Sequence, residues 1–592
     1  MRRAAAWAGV VALAAVAAGS ARWPVNPASV AASLNASFGR TGAMTWNAPK
    51  EATFSALPWP GLRIVDAALD SASGVNLVSA PEAQVDLSLL GLMMGRISPA
   101  RLALTAPTIT LDLDRPPFTA RLGMADAMAA IAGFAPSGSV NLSNGVVRVM
   151  SRKRGLDTVI ESVRGRCEGS SPASRVSIDL SAIWRNAPLV LTGSLEEPYR
   201  AARGMPSALN IRMSSFLGDF AFSGTLTAGP ALSALGNVLA SSHAVAQVGR
   251  LLGVAFPPAL DAADIAISGK IKATPEDVVF DEATVTSRGQ VLQGALRLAR
   301  DGGRLALSGS LDAEHLSLSP LLGPAEPLRL EDGRWSEQSF SVASPPDFDL
   351  DLRLSVGQLD AYGVALDNVA ASALLKGGAL TASLVDASAY GGRGQGELRL
   401  ASDGSDSRLE MRGKLVDADL GAAASRFGLP VLTGKGDADL SVRAAGRSPA
   451  ELISGLEGTA SLVLADGAVS GVNLEEALRR SQRRPLDVTR DMRSGGTTFE
   501  RMTIDFVIGS GVAHVVNGAL SARGLKADLQ GDIDLVDQSW KLRLNAEQTD
   551  PSGAIPPDAA RLSLDIDGPW SNTTVAPADE PDKEQPGSAS TP

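Results

Sequence analysis

The stretch LVLADGAVSGVNLEEALRR, residues 462–480, predicts a change from strand to helix within one short segment. Apolar and polar residues alternate at its start, which is the period of a half-buried β-strand. Glycines then mark a turn, and Asn473 followed by Glu476 predicts the N-terminus of a helix. Positively charged side chains near the C-terminus of a helix offset the negative end of the helix dipole. Four arginines crowd the far end of this predicted helix, namely Arg479, Arg480, Arg483 and Arg484.

The same alternation recurs along most of the chain. Each alternating segment presents one apolar face and one face rich in Asp, Arg, Lys, Ser and Thr, and the turns carry Gly with Asp or Asn. We therefore predict a mainly β protein of roughly 25 to 30 strands in antiparallel meanders. The segments that carry the pattern are 101–114, 175–184, 263–273, 302–313, 348–361, 394–402, 407–420, 435–446 and 525–536.

So many strands cannot remain in one flat open sheet, because twisted open sheets rarely exceed about ten strands. We expect an elongated, curled sheet whose apolar faces line a groove, with a few helices that cover exposed apolar surface. Helices are predicted at 26–39, 231–253 and 448–456, and a fourth follows Asn473. The fourth is expected to cover one end of the groove, and the alternative is a solvated helix whose basic end has no partner.

Composition excludes several classes of function. A formal charge of −10 disfavours nucleic acid as a partner, since phosphate binding needs clustered Lys and Arg. Cys167 is the single cysteine, so no internal disulfide can form, and a small core residue is its simplest interpretation. The three histidines, His243, His315 and His514, lie far apart in sequence. No nucleotide-binding, hydrolase or metalloprotease motif is present. We expect no enzyme activity, no cofactor and no metal site.

The N-terminal segment predicts export. Arg2 and Arg3 precede an uncharged apolar run, residues 4–21, which is long for a signal peptide and short for a membrane-spanning helix. Cleaved signal and retained anchor both remain open, and we adopt a single membrane-spanning helix within residues 1–22. The positive charges stay on the cytoplasmic side. We therefore expect the bulk of the chain in the periplasm if the cell is a double-membrane bacterium, and outside the cytoplasm otherwise.

Two regions of the sequence resemble the AsmA family of envelope proteins, which is related to TamB. Residues 57–114 are similar to the family's opening domain, with an apolar loop, short strands and a Leu-rich segment ending in Gly. Residues 446–480 resemble its C-terminal signature, in which a short helix precedes an alternating strand, a Gly-containing turn and Asn-Leu. Residues 497–535 continue as that region usually does.

The resemblance implies an inner-membrane protein with a chorein-like start and a long β-taco-like groove. Members are thought to act in outer-membrane biogenesis by carrying phospholipid or regulating its transfer. The implied layout is an anchor, an AsmA-like N-terminal region, a middle β-groove region, an AsmA-like C-terminal region and a disordered tail, at 1–22, 23–200, 201–430, 431–575 and 576–592. The alternative is a periplasmic scaffold or regulator that binds envelope assembly proteins and moves no lipid.

Candidate residues follow from the apolar faces of the predicted strands and from the basic helix end. We predict that six leucines line the lipid groove, namely Leu102, Leu104, Leu111, Leu113, Leu462 and Leu464. The four arginines after Asn473 are the candidates for contact with lipid headgroups or a partner.

Overall fold

The computed structural model describes residues 16–38, 44–71, 76–94, 99–112, 138–151, 156–169, 175–228, 232–252, 264–274, 276–301, 304–319, 334–338, 348–402, 407–426, 432–471, 473–481 and 495–578. In this part of the chain the protein is mainly β, as predicted, with short helices between strands. The chain divides into two compact units. Unit 1 is Met1–Gly309 with Pro320–Leu322, and unit 2 is Ser310–Ser319 with Gly323–Pro592.

Unit 1 begins with strands of 2 to 12 residues and continues from residue 139 with strands of 9 to 14 residues. Its strands are β1 (Trp23–Pro24), β2 (Met44–Trp46), β3 (Glu51–Ser55), β4 (Gly61–Ser71), β5 (Asn76–Leu87), β6 (Pro99–Thr105), β7 (Thr108–Asp112), β8 (Ser139–Ser151), β9 (Leu156–Gly169), β10 (Arg175–Trp184), β11 (Ala187–Glu196), β12 (Ser207–Ser215), β13 (Gly218–Ala228), β14 (Leu232–Ser242), β15 (Ile265–Ala273), β16 (Asp277–Ser287) and β17 (Gln290–Asp301). Strand β18 (Arg304–Ser317) contains the division between the units.

Unit 2 continues with strands that pair in sequence order. They are β19 (Phe348–Ala361), β20 (Val364–Lys376), β21 (Ala379–Ala389), β22 (Gly392–Ser402), β23 (Ser407–Asp419), β24 (Leu432–Gly446), β25 (Glu457–Ser470), β26 (Gly496–Gly509), β27 (Val512–Ala522), β28 (Leu525–Asp534), β29 (Ser539–Gln548), β30 (Arg561–Pro569) and β31 (Thr574–Pro577). Each strand is antiparallel to the next.

The helices are short and lie between strands. Those with described bounds are α1 (Pro27–Phe38), α2 (Leu89–Met93), α3 (Pro198–Ala202), α4 (Val245–Leu252), α5 (Leu420–Arg426), α6 (Pro449–Ser454) and α7 (Leu474–Ser481). Residues 16–20 are also helical. Among the residues that the structure describes, no helix combines the length and apolar composition needed to cross a membrane. The predicted anchor lies mostly outside the described residues, which begin at Val16.

Two of the predicted helix starts are confirmed by their caps. Asn26 accepts a hydrogen bond from the backbone N–H of Ala28 and opens α1. The Ser448 hydroxyl accepts one from the backbone N–H of Glu451 at the start of α6. The Glu451 carboxylate accepts from the backbone N–H of Arg447, one residue earlier than the capping box requires. Capping oxygens satisfy N–H groups that have no partner inside the helix, which explains why these short helices form.

The predicted helix at 231–253 is wrong over its first half. Residues 232–242 form β14, which pairs with β13 and β15 along its length, and only Val245–Leu252 is helical. Gly236 of β14 lies opposite Gly224 of β13, where an added Cβ would contact the neighbouring backbone. The stretch is rich in Ala, Leu and Ser, whose spacing also fits a helical stripe, and strand pairing outweighs this weak local preference.

The alternating segment 101–114 is also not one strand. It is broken between β6 and β7 at Ala106 and Pro107, where Ala106 has a positive φ and Pro107 has no N–H to donate. Both strands pair in parallel with β8, which is an exception to the predicted antiparallel meander.

The predicted domain layout is largely untested. The division between the units near residue 309 falls inside the predicted middle region, and the predicted boundaries at 200 and 430 stay predictions. The predicted tail from 576 includes the last two residues of β31, and residues 579–592 lie outside the described part of the chain.

Candidate functional site

One face of unit 2 carries a continuous apolar row, which we call the unit 2 row. Residues directly opposite each other on paired strands point to the same face, so successive partners trace the row across the sheet. It crosses β19 to β31, and at about 4.8 Å between strands it extends about 58 Å. The row consists of Leu354, Ala371, Leu384, Gly396, Gly413, Leu440, Ala460, Phe506, Val515, Gly531, Leu542, Ile566 and Val575.

The members of the unit 2 row are half-buried, apart from the buried Leu542. A parallel row on the same face runs through Leu352, Ala373, Ala382, Leu398 and Met411, which are likewise half-buried. The apolar face of β19–β24 therefore combines these half-buried side chains with buried ones such as Val356, Val369 and Val442.

Unit 1 has a corresponding apolar row, which we call the unit 1 row. It crosses ten strands, β8 to β17, and consists of Leu142, Gly165, Leu180, Leu191, Met213, Phe220, Ala240, Ile267, Val285 and Leu292. Cys167 lies on the same face, between Val140 and Ile178 of the neighbouring strands, and burial raises the pKa of its thiol. Its placement agrees with the small apolar role predicted from sequence.

The opposite face of each unit is polar and carries exposed ion pairs between neighbouring strands. In unit 2, Arg443 lies 2.9 Å from Glu457, and Arg543 lies 2.7 Å from Asp565. Exposed pairs of this kind contribute little to folding stability, because solvent screens them. These charged side chains keep this face in contact with water, so the sheet of each unit has one solvated polar face and one apolar face.

A depression of about 740 Å³ lies on the polar face of β11–β16 in unit 1. Hydroxyl and amide side chains line it together with Arg212 and Lys270. Its lining is mixed, since Ile211, Leu239 and Glu282 also border it. The apolar rows lie on the opposite face.

Part of the apolar face of unit 2 is covered by α7, and we call this part the closed core. The helix packs against β26, β29 and β30. It buries Leu474, Ala477 and Leu478 against side chains of the strands beneath it. The strand residues of the closed core are Ala418, Leu464, Phe499, Met502, Leu520, Leu525, Ala527, Ala546, Leu562 and Leu564.

The start of α7 is fixed by two side chains. The Asn473 side-chain oxygen accepts a hydrogen bond of 3.0 Å from the backbone N–H of Glu476, as the sequence predicted. The Thr497 hydroxyl accepts one of 3.0 Å from the backbone N–H of Leu474. Two of the N–H groups at this helix end are thereby satisfied, one of them from a neighbouring strand.

The basic end of α7 is ion-paired within the helix. Glu476 lies 2.7 Å from Arg480 and 2.7 Å from Arg479. The hydrogen bond from Arg480 is the main cause that lowers the pKa of the Glu476 carboxyl, and the bond from Arg479 adds to it. Arg483 and Arg484 lie outside the described residues. Contact of these arginines with lipid headgroups stays a prediction.

The six predicted groove leucines lie in different surroundings. Leu102 and Leu104 are buried in a core that α1 forms with the first strands. Leu111 is half-buried on β7, and Leu113 lies outside the described residues. Leu462 is half-buried beside the closed core, and Leu464 is fully buried within it. Leu102, Leu104 and Leu464 therefore offer almost no surface to a ligand in this structure.

The half-buried rows are the part of the site that sequence reasoning did not single out. The alternating segments at 348–361 and 407–420 contain their residues, so the signal for an apolar face was present. Which residues meet across strands depends on turn lengths and bulges, such as the register shift between Leu384 and Ala387. The pattern along a single strand does not contain that information.

The fold and the rows define a class of protein in which a long strand meander keeps one apolar face and a short helix covers only part of it. Residues 294–516 match the model of the AsmA family. The family assignment made from the sequence is thereby confirmed over a region that includes the signature at 446–480 and α7. The opening resemblance at 57–114 lies outside the match and stays a prediction. No curated protein and no solved structure gives a significant match.

Proposed function

We propose that the apolar faces of the two units bind the acyl chains of phospholipid, and that this binding serves outer-membrane biogenesis. In this proposal the N-terminal segment anchors the chain in the inner membrane and the rest lies in the periplasm. Headgroups remain in water at the edge of the apolar face. The proposal requires binding surface and no catalytic residue.

The observation that carries the proposal is the half-buried state of twelve of the thirteen members of the unit 2 row, one on each strand from β19 to β31. Covering apolar surface releases roughly 25 cal/mol per Å², or about 0.8 kcal/mol for each methylene. An acyl chain laid on the row gains this free energy wherever it covers an apolar side chain. The match of residues 294–516 to the AsmA family model supports the same envelope role.

Leu384→Asp tests the proposal, because Leu384 lies in the unit 2 row and its neighbour Val385 is 60% exposed at a strand bulge. We expect Leu384→Asp to lower the amount of phospholipid that co-purifies in mild detergent. Each acyl methylene that loses its apolar contact at the aspartate weakens binding by roughly fourfold. Val385→Asp is the matched control and should retain the wild-type amount. Lipid extraction with mass spectrometry gives the measurement.

Leu384→Asn separates the removal of apolar surface from the effect of charge, and circular dichroism checks that each variant is folded. Folded Leu384→Asp protein with the wild-type lipid content would contradict the proposal. Wild-type protein recovered without phospholipid would instead favour the alternative, a scaffold or regulator that binds envelope assembly proteins.

A further inference from the structure

Seven apolar side chains are exposed at one end of the N-terminal sheet of unit 1, and we call them the end patch. They are Trp23, Leu57, Trp59, Leu89, Leu90, Met93 and Met94. Trp59 is 65% exposed, Leu90 is 66% exposed and Met93 is 86% exposed. Isolated exposed apolar residues are ordinary, whereas a contiguous group marks an interaction surface.

Two loops bring the end patch together. The backbone N–H of Leu87 donates a hydrogen bond of 2.8 Å to the carbonyl of Pro60, which joins the end of β5 to the loop that carries Leu57 and Trp59. Ser88 then caps α2 by accepting from the backbone N–H of Gly91. Gly91 is buried and Leu92 packs on the core beneath, so the other side chains of α2 point outward.

The end patch adjoins the end of the predicted anchor. The carbonyl of Gly19 accepts hydrogen bonds from the backbone N–H groups of Ala56, at 3.0 Å, and Leu57, at 2.8 Å. The indole N–H of Trp23 donates to the carbonyl of Ala18 at 3.2 Å. The uncharged run of residues 4–21 therefore ends against the loop that carries Leu57 and Trp59.

We propose that the end patch inserts into the interfacial region of the lipid bilayer. None of its seven side chains is charged, and its Trp and Leu side chains are types that lie at the boundary between headgroups and acyl chains. The end patch adjoins the uncharged apolar segment 4–21, which is long enough to enter a membrane. This proximity favours a lipid bilayer over a protein as the partner of the end patch. The proposal goes beyond lipid binding by the apolar rows, since it concerns the surface that docks unit 1 on the membrane.

A fluorescent probe at Met93 tests the proposal in the full chain. Cys167→Ser removes the native thiol, and Met93→Cys then carries an environment-sensitive dye. The protein is reconstituted into phosphatidylethanolamine and phosphatidylglycerol vesicles that contain a nitroxide-labelled lipid. Val385→Cys and Val516→Cys are controls, since their native side chains are 60% and 66% exposed in unit 2. We expect the nitroxide lipid to quench the dye at 93 several-fold more than at either control, and aqueous iodide to quench only the controls.

Quenching of position 93 by iodide to the same extent as the controls would overturn the proposal. Protection from both quenchers would also overturn it, because a protein partner would then cover the patch. Leu90→Cys repeats the measurement if Met93→Cys fails to fold. Alkaline washing of the vesicles and the mass of the retained protein report the anchor separately. If the chain stays in the vesicles after alkaline washing while iodide quenches the dye at position 93, the anchor is present and the end patch does not insert into the bilayer.

Discussion

On β25 and β26 the closed core and the unit 2 row occupy the same face of the strands and differ in how fully they are covered. On β25, Leu464 lies in the closed core and is fully buried, whereas Ala460 lies in the row and is half-buried. On β26, Met502 and Phe506 show the same contrast. The strands supply an apolar face along their whole length, and α7 closes one part of it. Val442, Ile508 and Ala513 form a second buried cluster, against which Ala460 and Phe506 pack.

This difference separates stability from binding within one sheet. Side chains under α7 have already gained their burial free energy, so a ligand would gain nothing by approaching them. Side chains of the row retain part of their apolar surface and still have free energy to gain. The helix in the segment 462–480 therefore closes the sheet locally, whereas the half-buried side chains of the row keep part of their apolar surface accessible.

The largest expected difference between the two regions is in the cost of an introduced charge. Leu464→Asp buries an unpaired carboxylate and should lower the free energy of unfolding by more than about 4 kcal/mol. The carboxylate of Leu384→Asp keeps access to water, so this variant should lose about 1 kcal/mol or less. Urea unfolding of each variant, followed by circular dichroism, gives the measurement. Leu464→Ala, expected to cost about 2 to 5 kcal/mol, provides a value if the aspartate variant does not fold. Equal losses of unfolding free energy in Leu464→Asp and Leu384→Asp would contradict the distinction between the closed core and the unit 2 row.

The local parts of this architecture could be read from the sequence. Strand β10 matches the predicted segment 175–184 residue for residue, and the caps at Ser448 and Asn473 lie where the sequence placed them. These features depend on residues within a few positions of each other. The helix predicted over β14 is wrong because Ala, Leu, Ser and Gly satisfy either period, and pairing with β13 and β15 decides the outcome.

The site was less predictable than the elements. Leu464 and Leu384 lie in similar alternating segments, yet one is covered by a helix and the other is half-buried. Covering depends on where α7 docks, through contacts with β29 and β30 that lie far along the chain. Alternation reports which face a residue is on, and not what lies over that face. For this reason three of the predicted groove leucines lie in buried cores.

A smaller effect is expected when the attachment of α7 is weakened at its cap. Asn473→Ala removes the acceptor for the N–H of Glu476 and should destabilise the helix by about 1 kcal/mol. Amide hydrogen exchange of residues 476–480 should therefore become roughly fivefold faster. Ser448→Ala, which removes the equivalent cap of α6, is the matched control and should leave exchange in α7 unchanged. Unchanged exchange in Asn473→Ala would mean that tertiary packing alone holds the helix.

The smallest expected effect is a dependence of α7 on pH. The folded pKa of Glu476 lies below its ordinary value of 4.5, chiefly because Arg480 donates a hydrogen bond to the carboxylate. A lowered folded pKa means that the ion pair contributes stability above pH 4.5, and that this contribution disappears as pH falls through the folded pKa. The charges are solvent-screened, so the opening equilibrium of α7 should change by about twofold. Exchange measured at about pH 6 and about pH 3 in wild type and in Glu476→Gln isolates the effect, because other carboxylates titrate in both proteins. If wild type and Glu476→Gln lose protection equally on acidification, Glu476 does not hold the arginines at this helix end. Contact of these arginines with an anionic headgroup would then break no ion pair within the helix.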